Sequence, residues 1–252
     1  MEELANQAVA ALLVTLRIAP AFAFAPPFTL LRVPAMVRVM LAITLAAWLV
    51  AGHPQQTWQS DFWSRGLFLT AIAELLMGIG LALTLQIAFA ALLTAGRAID
   101  IQAGFGLAVL IDPTTRAQMP LVGTFFAYAA AAIFFATGGP TDLLAIWAQS
   151  VAQVPLGAAV AGGDSVAALV AYMSAVFVMA FGAAGLVMLV LFVLDLAVAF
   201  MSRTLPQMNV LLLGFQVKTL AVLAILPIGL ALSSALFLRM LRYALQTAAD
   251  LI

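Results

Sequence analysis

The sequence predicts an all-α, polytopic membrane-type protein built from long, kinked and broken helices. Three observations carry that prediction. Of 252 residues, 66% are hydrophobic and only 8% are charged. A soluble domain is about 25% charged, so this chain cannot cover its own surface with polar groups. The apolar residues fall into six runs, about 8–31, 39–51, 66–95, 121–137, 165–194 and 210–238. Prolines lie inside or beside several runs, at Pro20, Pro26, Pro27, Pro140 and Pro227, where they kink or end helices.

Composition also excludes whole classes of function. The formal net charge is zero and there is no basic tract, so no nucleic-acid partner is expected. With no cysteine there is no disulfide frame, thiolate nucleophile or cysteine metal site. The single histidine, His53, sits in the turn-like AGHPQQ and reads as a loop residue. No metal-ligand cluster, nucleophile–base pair or phosphate loop is present, so neither a cofactor nor an enzyme is expected. The opening Met-Glu-Glu lacks a basic n-region, which argues against a cleaved secretory signal.

The first run reads as a helix that Pro20 kinks or ends and that Pro26-Pro27 breaks again. Arg17 lies within it. An arginine at membrane depth costs about 2.5–3.5 kcal/mol on insertion scales, so Arg17 should face protein or water. After the basic connector RVPAMVR, a second helix is expected over Val39–Ala51. Trp58 and Trp63 in the following polar linker fit an interfacial belt. Gly66–Ala95 reads as one helix of about 45 Å, longer than the roughly 30 Å hydrocarbon core. Its Glu74 has two open readings, a buried ion-pair partner or a headgroup-level residue. Gly78, Gly80 and Ala82 offer a smooth packing face.

Gly96–Pro120, GRAIDIQAGFGLAVLIDPTTRAQMP, is a polar island between two oily runs. It holds Arg97, Asp100, Gln102, Asp112, Arg116 and Gln118, with glycines that loosen the backbone and prolines that end regular structure. One reading is a plain loop between membrane helices, the commoner class. The other is a re-entrant or pore-facing loop, because irregular backbone at membrane depth survives only inside protein or beside water.

Leu121–Thr137 is apolar and aromatic, and Gly138-Gly139-Pro140 should terminate it. Thr141 or Asp142 is the expected cap of a further helix to about Ala152. Pro155–Asp164 is a small-residue loop. Its Gly162-Gly163-Asp164 departs from the Gly-x-Gly-Asp pattern of intramembrane aspartyl proteases. Ser165–Phe200 would extend about 54 Å if wholly helical. Asp195 and Arg203, eight residues apart, would share a face of one continuous helix. The chain should break at Arg203–Val210, run apolar again over Val210–Leu238 with Lys218 and Pro227 inside, and end in a weakly amphipathic tail. With six spans, three arginines (65, 239, 242) fall on one side and five (32, 38, 97, 116, 203) on the other, a weak orientation signal. No internal repeat suggests two matching transporter halves.

Residues along nearly the whole chain resemble a known pattern. They are Arg17 and Pro20 with Pro26-Pro27, Pro34 followed by Arg38, Glu74 with Gly78, and Ala95-Gly96. Gln102, Gly104, Ala108 and Asp112-Pro113 follow. The most specific series is Asp195, Arg203, Pro206-Gln207-Met208-Asn209-Val210, Gly214-Phe215 and Lys218. In this order and spacing they resemble the R-type subunit of the bacterial type III export gate, the FliR/SctT family of flagella and injectisomes.

The resemblance implies a single export-gate domain over residues 1–252. It implies a helical, conical assembly with P-type and Q-type subunits, neighboured by B-type and A-type subunits, in the inner-membrane basal body. Unfolded proteins would pass through its channel, with membrane lipid around it. The polar island becomes a plug loop, with Gly104, Phe105, Gly106, Leu107, Val109, Leu110, Asp112 and Pro113 as candidates. Arg17, Pro20, Glu74, Asp100, Gln102, Asp195, Arg203, Pro206, Gln207, Asn209 and Lys218 become structural or interface candidates. Gly214-Phe215-Gln216-Val217-Lys218 looks more flagellar than injectisome-like. An independent small-solute transporter is the alternative from a different class.

Overall fold

The computed structural model describes residues 2–31, 33–57, 66–105, 120–158, 163–204 and 210–252. All the regular structure among them is helical. In chain order the helices are α1 (Glu2–Phe24), α2 (Ala35–Gly52), the single turn α3 (Pro54–Thr57), α4 (Leu67–Ala103), α5 (Leu121–Ala136), α6 (Gly139–Gln153), α7 (Gly163–Thr204) and α8 (Val210–Asp250). Five of these are long and apolar enough to cross a membrane, and six spans result if the α5–α6 pair, bent by 71°, counts as one. The predicted polytopic helical class is therefore what the chain adopts.

Several helices run further than their apolar runs. α1 continues across Pro20 to Phe24. A proline inside a membrane-type helix is tolerated where neighbouring helices pack around the freed backbone, and Ile18 and Ala21, on either side of it, are buried. α2 starts at Ala35 rather than Val39, directly after Pro34, whose extended backbone forms the N-cap. α4 carries eight residues of the polar island, Gly96–Ala103, in helical form. α8 runs through Pro227 and on through the predicted tail to Asp250. At the start of α6 the cap is the left-handed Gly138 (φ 83°), not Thr141 or Asp142. Asp142 lies in the first turn, where its charge suits the helix dipole.

The chain forms two compact units, one of Met1–Ala88, Ala131–Ser174 and Leu241–Ile252, the other of Phe89–Ala130 and Ala175–Met240. In the first, Ala10, Leu13, Val14, Ile18 and Ala21 make the buried face of α1, at the spacing of a helical stripe. An aromatic cluster closes the turn after α1. Phe28 lies 4.8 Å from Phe22 (between ring centroids), and Phe22 lies 5.6 Å from Trp147. Phe134 and Phe135 each meet Phe28 edge-on at 6.3 Å, the geometry that aromatic quadrupoles favour.

In the second unit, Gly96 lets α4 and α5 touch. A Cβ there would overlap the Gly123 backbone. Further along, Phe126 meets Phe237 edge-on at 5.5 Å, and the Ser233 hydroxyl donates to the Ala183 carbonyl at 3.1 Å. Gly96 thus serves close helix packing rather than a loosened backbone.

Candidate functional site

Among the described residues two polar centres stand out, one in each unit. The first is built where α1 crosses α4. A Cβ on Gly78 would lie 2.8 Å from the Leu16 carbonyl oxygen, so the two backbones are in direct contact there. One turn before Gly78, Glu74 is held against Arg17, and both side chains are only 1% exposed. Arg17 Nε donates to Glu74 Oε2 at 2.6 Å and Nη2 donates to Oε1 at 2.9 Å, a bidentate pair. Nη1 donates to the Ser150 carbonyl at 2.7 Å, and Nη2 to the Val154 carbonyl at 3.4 Å. Glu74 Oε1 also accepts the Gly157 N–H at 2.8 Å. Of the two readings of Glu74, the structure shows the buried ion-pair partner, and Arg17 faces protein. The smooth face of α4 is Gly78 with Ala82, which is fully buried; Gly80 has nothing within 4 Å of an added Cβ.

The second centre lies at the end of α4, at the stem of the polar island. The Phe105 N–H donates to the Asp100 carbonyl at 2.9 Å and the Gly104 N–H to the Ile101 carbonyl at 3.1 Å, with Gly104 at φ 86°. These are the two bonds of a Schellman cap. Gly104 is there because a left-handed residue must end the helix. Asp100 is buried, and its carboxylate oxygens accept the Val122 N–H at 3.1 and 3.2 Å. A carboxylate from one helix thus satisfies the positive N-terminus of another.

Gln102 ties the same stem to α7 and α8. Its Nε2 donates to the Met188 carbonyl at 3.2 Å, and its backbone carbonyl accepts from Lys218 Nζ at 3.0 Å. Lys218 also pairs with the Asp195 carboxylate. Phe105 meets Phe215 edge-on at 6.5 Å. The stem is therefore anchored through Asp100, Gln102 and Phe105 before the chain enters residues 106–119. Among the described residues no group of three or more His, Cys, Asp or Glu could hold a metal.

A family described as bacterial export proteins, family 1, matches residues 8–244. The chain belongs to this family. Its relatives include the flagellar biosynthetic protein FliR of Bacillus subtilis, 33% identical over 213 residues, covering 82% of this chain and 80% of the relative. FliR of Pectobacterium carotovorum is 29% identical over 216 residues, 86% of this chain and 81% of the relative. FliR of Escherichia coli is 28% identical over 166 residues, 66% of this chain and 61% of the relative. The resemblance to the FliR/SctT family therefore holds, and this member of the export family is a helical membrane protein of the flagellar export system.

Of the residues singled out from sequence, Arg17 and Glu74 meet in one centre, and Asp100, Gln102, Asp195, Lys218, Gly104 and Phe105 in the other. Pro20 lies within α1, without a place in either centre. Arg203 is exposed in the last turn of α7, and Asp195 has Lys218 as its ion-pair partner. Eight residues of helix separate Asp195 and Arg203 by about 12 Å of rise, so sharing a face does not bring them together. Gly106, Leu107, Val109, Leu110, Asp112, Pro113, Pro206, Gln207 and Asn209 lie outside the described residues, as do Trp58 and Trp63. Sequence reasoning missed Ser150, Val154, Gly157 and Met188. The last three enter through backbone groups, and Ser150 through its carbonyl and its hydroxyl, 3.3 Å from Arg17 Nη1. The one available signal was Pro155-x-Gly157, a turn signature that the structure fulfils with Gly157 at φ 79°.

Proposed function

We propose that this protein is a structural pore subunit of the flagellar export gate, a non-enzymatic part of the channel that passes unfolded flagellar proteins across the bacterial inner membrane. In this reading it assembles with P-type and Q-type subunits in the basal body, beside the B-type and A-type export subunits. The segment beyond Gly104 is the plug, and Phe105 or an apolar residue after it closes the channel. The observation that carries the reading is the stem. In a family member with flagellar relatives, a polar segment between two apolar helices leaves α4 from a capped end anchored to α5, α7 and α8. Such a base suits a loop that must change position while its root stays fixed, as a channel constriction requires. Exposed apolar side chains along α7, including Val178, Leu189 and Phe192, suit lipid or neighbouring subunits.

The test is to recover the tagged chain from its host in gentle detergent and read the bound proteins by mass spectrometry. Co-recovery of P-type and Q-type membrane subunits in one stable complex is the expected result. A well-folded chain recovered alone would overturn the gate reading and favour an independent solute transporter, to be tested in liposomes.

A further inference from the structure

A half-open crevice of about 240 Å³ lies between α1 and α2 in the first unit. Its α1 wall is Thr15, Ala19, Phe22 and Ala23, and its α2 wall is Ala35, Arg38, Val39 and Ala42. The alanines leave the space, and the lining is apolar except for two groups. The Thr15 hydroxyl is engaged with the Ala11 carbonyl at 2.7 Å. The other group is Arg38.

Arg38 uses one end of its guanidinium inside the fold. Nη1 donates to the Phe22 and Ala23 carbonyls at 3.2 and 3.3 Å, at the C-terminal end of α1, where a cation suits the helix dipole. Its Nε is buried and has no acceptor among the described residues. The protein holds its own standard for comparison. In Arg17 the Nε–Nη2 edge grips the Glu74 carboxylate. The same edge of Arg38 has no counter-ion among the described residues. A buried donor without a partner calls for a group the chain does not supply, and a small shift of the guanidinium toward the crevice would open this edge to a carboxylate or phosphate.

The surroundings select among anions. Arg38 lies one turn inside the start of α2, a candidate span, so it stands near a span end, the level at which lipid headgroups lie. Around it Met36, Val39 and Met40 are exposed apolar side chains, at 73%, 53% and 52%. An occupant therefore needs an anionic head for Arg38 and a hydrocarbon body for the crevice and the outer face of α2. We propose that this crevice binds an anionic phospholipid, with its phosphodiester on Arg38 and an acyl chain along Ala19, Phe22 and Val39. Basic pockets between membrane helices bind lipid headgroups in this way.

Native mass spectrometry of the purified full chain, exposed to equal amounts of phosphatidylglycerol and phosphatidylcholine, tests the proposal. The wild type should retain one phosphatidylglycerol, preferred by about five-fold, the factor expected of one arginine at a membrane surface. Arg38→Gln should lose the preference. Ala19→Leu, which fills the crevice and leaves the Arg38 bonds to α1 in place, should retain less of either lipid at this site. Equal retention of the two lipids by the wild type would overturn the proposal and favour an acidic side chain of a neighbouring protein as the partner. Undiminished phosphatidylglycerol binding in Ala19→Leu would also overturn it. So would displacement of the bound lipid by inorganic phosphate alone, because the acyl chain would then contribute nothing.

Discussion

Replacing Glu74 by alanine should destabilise this protein far more than any substitution on the outer face of α2. The carboxylate accepts from Arg17 Nε at 2.6 Å, from Arg17 Nη2 at 2.9 Å and from the Gly157 N–H at 2.8 Å. With both side chains buried, alanine leaves a guanidinium without a counter-charge in an apolar interior. Removing one partner of a buried pair costs about 3–5 kcal/mol. For a chain of this size each kcal/mol lowers the unfolding midpoint by about 2–4 °C, so a fall on the order of 6–20 °C is expected. Glu74→Gln keeps the volume and one acceptor oxygen, and its loss should be intermediate. Arg17→Met with Glu74→Met removes both charges, but leaves the Val154 carbonyl and the Gly157 N–H without their partners, at about 1–3 kcal/mol each if unsatisfied; the Ser150 carbonyl keeps the Val154 N–H. The double variant should then be about as unstable as Glu74→Ala alone, not twice so. Thermal unfolding of the purified chain in gentle detergent, followed by tryptophan fluorescence, reads the wild type and these variants together with the Arg17→Met and Glu74→Met singles and a Thr44→Ala control. Trp147, packed on Phe22 in the same unit, is a suitable reporter. The reasoning fails if Glu74→Ala stays within about 0.5 kcal/mol of the exposed control Thr44→Ala, or if the single losses add in the double variant.

Three further predictions concern α4, α7, α8 and the segment that follows α4. Asp195→Ala and Lys218→Ala should be non-additive by about 0.5–1 kcal/mol in unfolding measurements, a modest coupling because the pair is partly exposed. Asp195→Ala and Arg203→Ala should add, and coupling between them would contradict the assigned ion pair. Gly96→Ala should destabilise by about 1–3 kcal/mol because its Cβ would overlap Gly123. Gly80→Ala, which meets open space, should gain up to about 1 kcal/mol of helix propensity; the same sign for both glycines would count against the packing described. Under the proposed function, deleting part of Gly104–Pro120 should make a correctly assembled gate conduct ions in planar bilayers, whereas unchanged conductance would remove the plug assignment.

The helical membrane class was legible because it rests on averages over long runs, which no single contact can reverse. Element ends were less legible, and the physical reason is the same at each. Gly96–Ala103 looked like loop because glycine, arginine and aspartate are poor company for an apolar run. Yet the glycine and the aspartate both serve the helix or its neighbour. Gly96 admits α5, Asp100 caps it, and Gly104 ends α4 in the left-handed conformation. Composition cannot distinguish a residue that breaks a helix from one that docks another helix against it. Ion-pair partners were legible only as a pool. Glu74 with Arg17, 57 positions apart, could not be matched from the chain alone, and spacing sets Asp195 beside Arg203 on its own helix although its partner is Lys218. The choice was made by geometry that a sequence does not write down. The Gly78 contact brings α1 onto α4, and Lys218 reaches Asp195 and the Gln102 carbonyl together. A lysine that bonds the last turn of α4 as well as a carboxylate on α7 does more than neutralise a charge. It makes the root of the polar segment depend on α7 and α8, so a change at either helix would be felt where that segment begins.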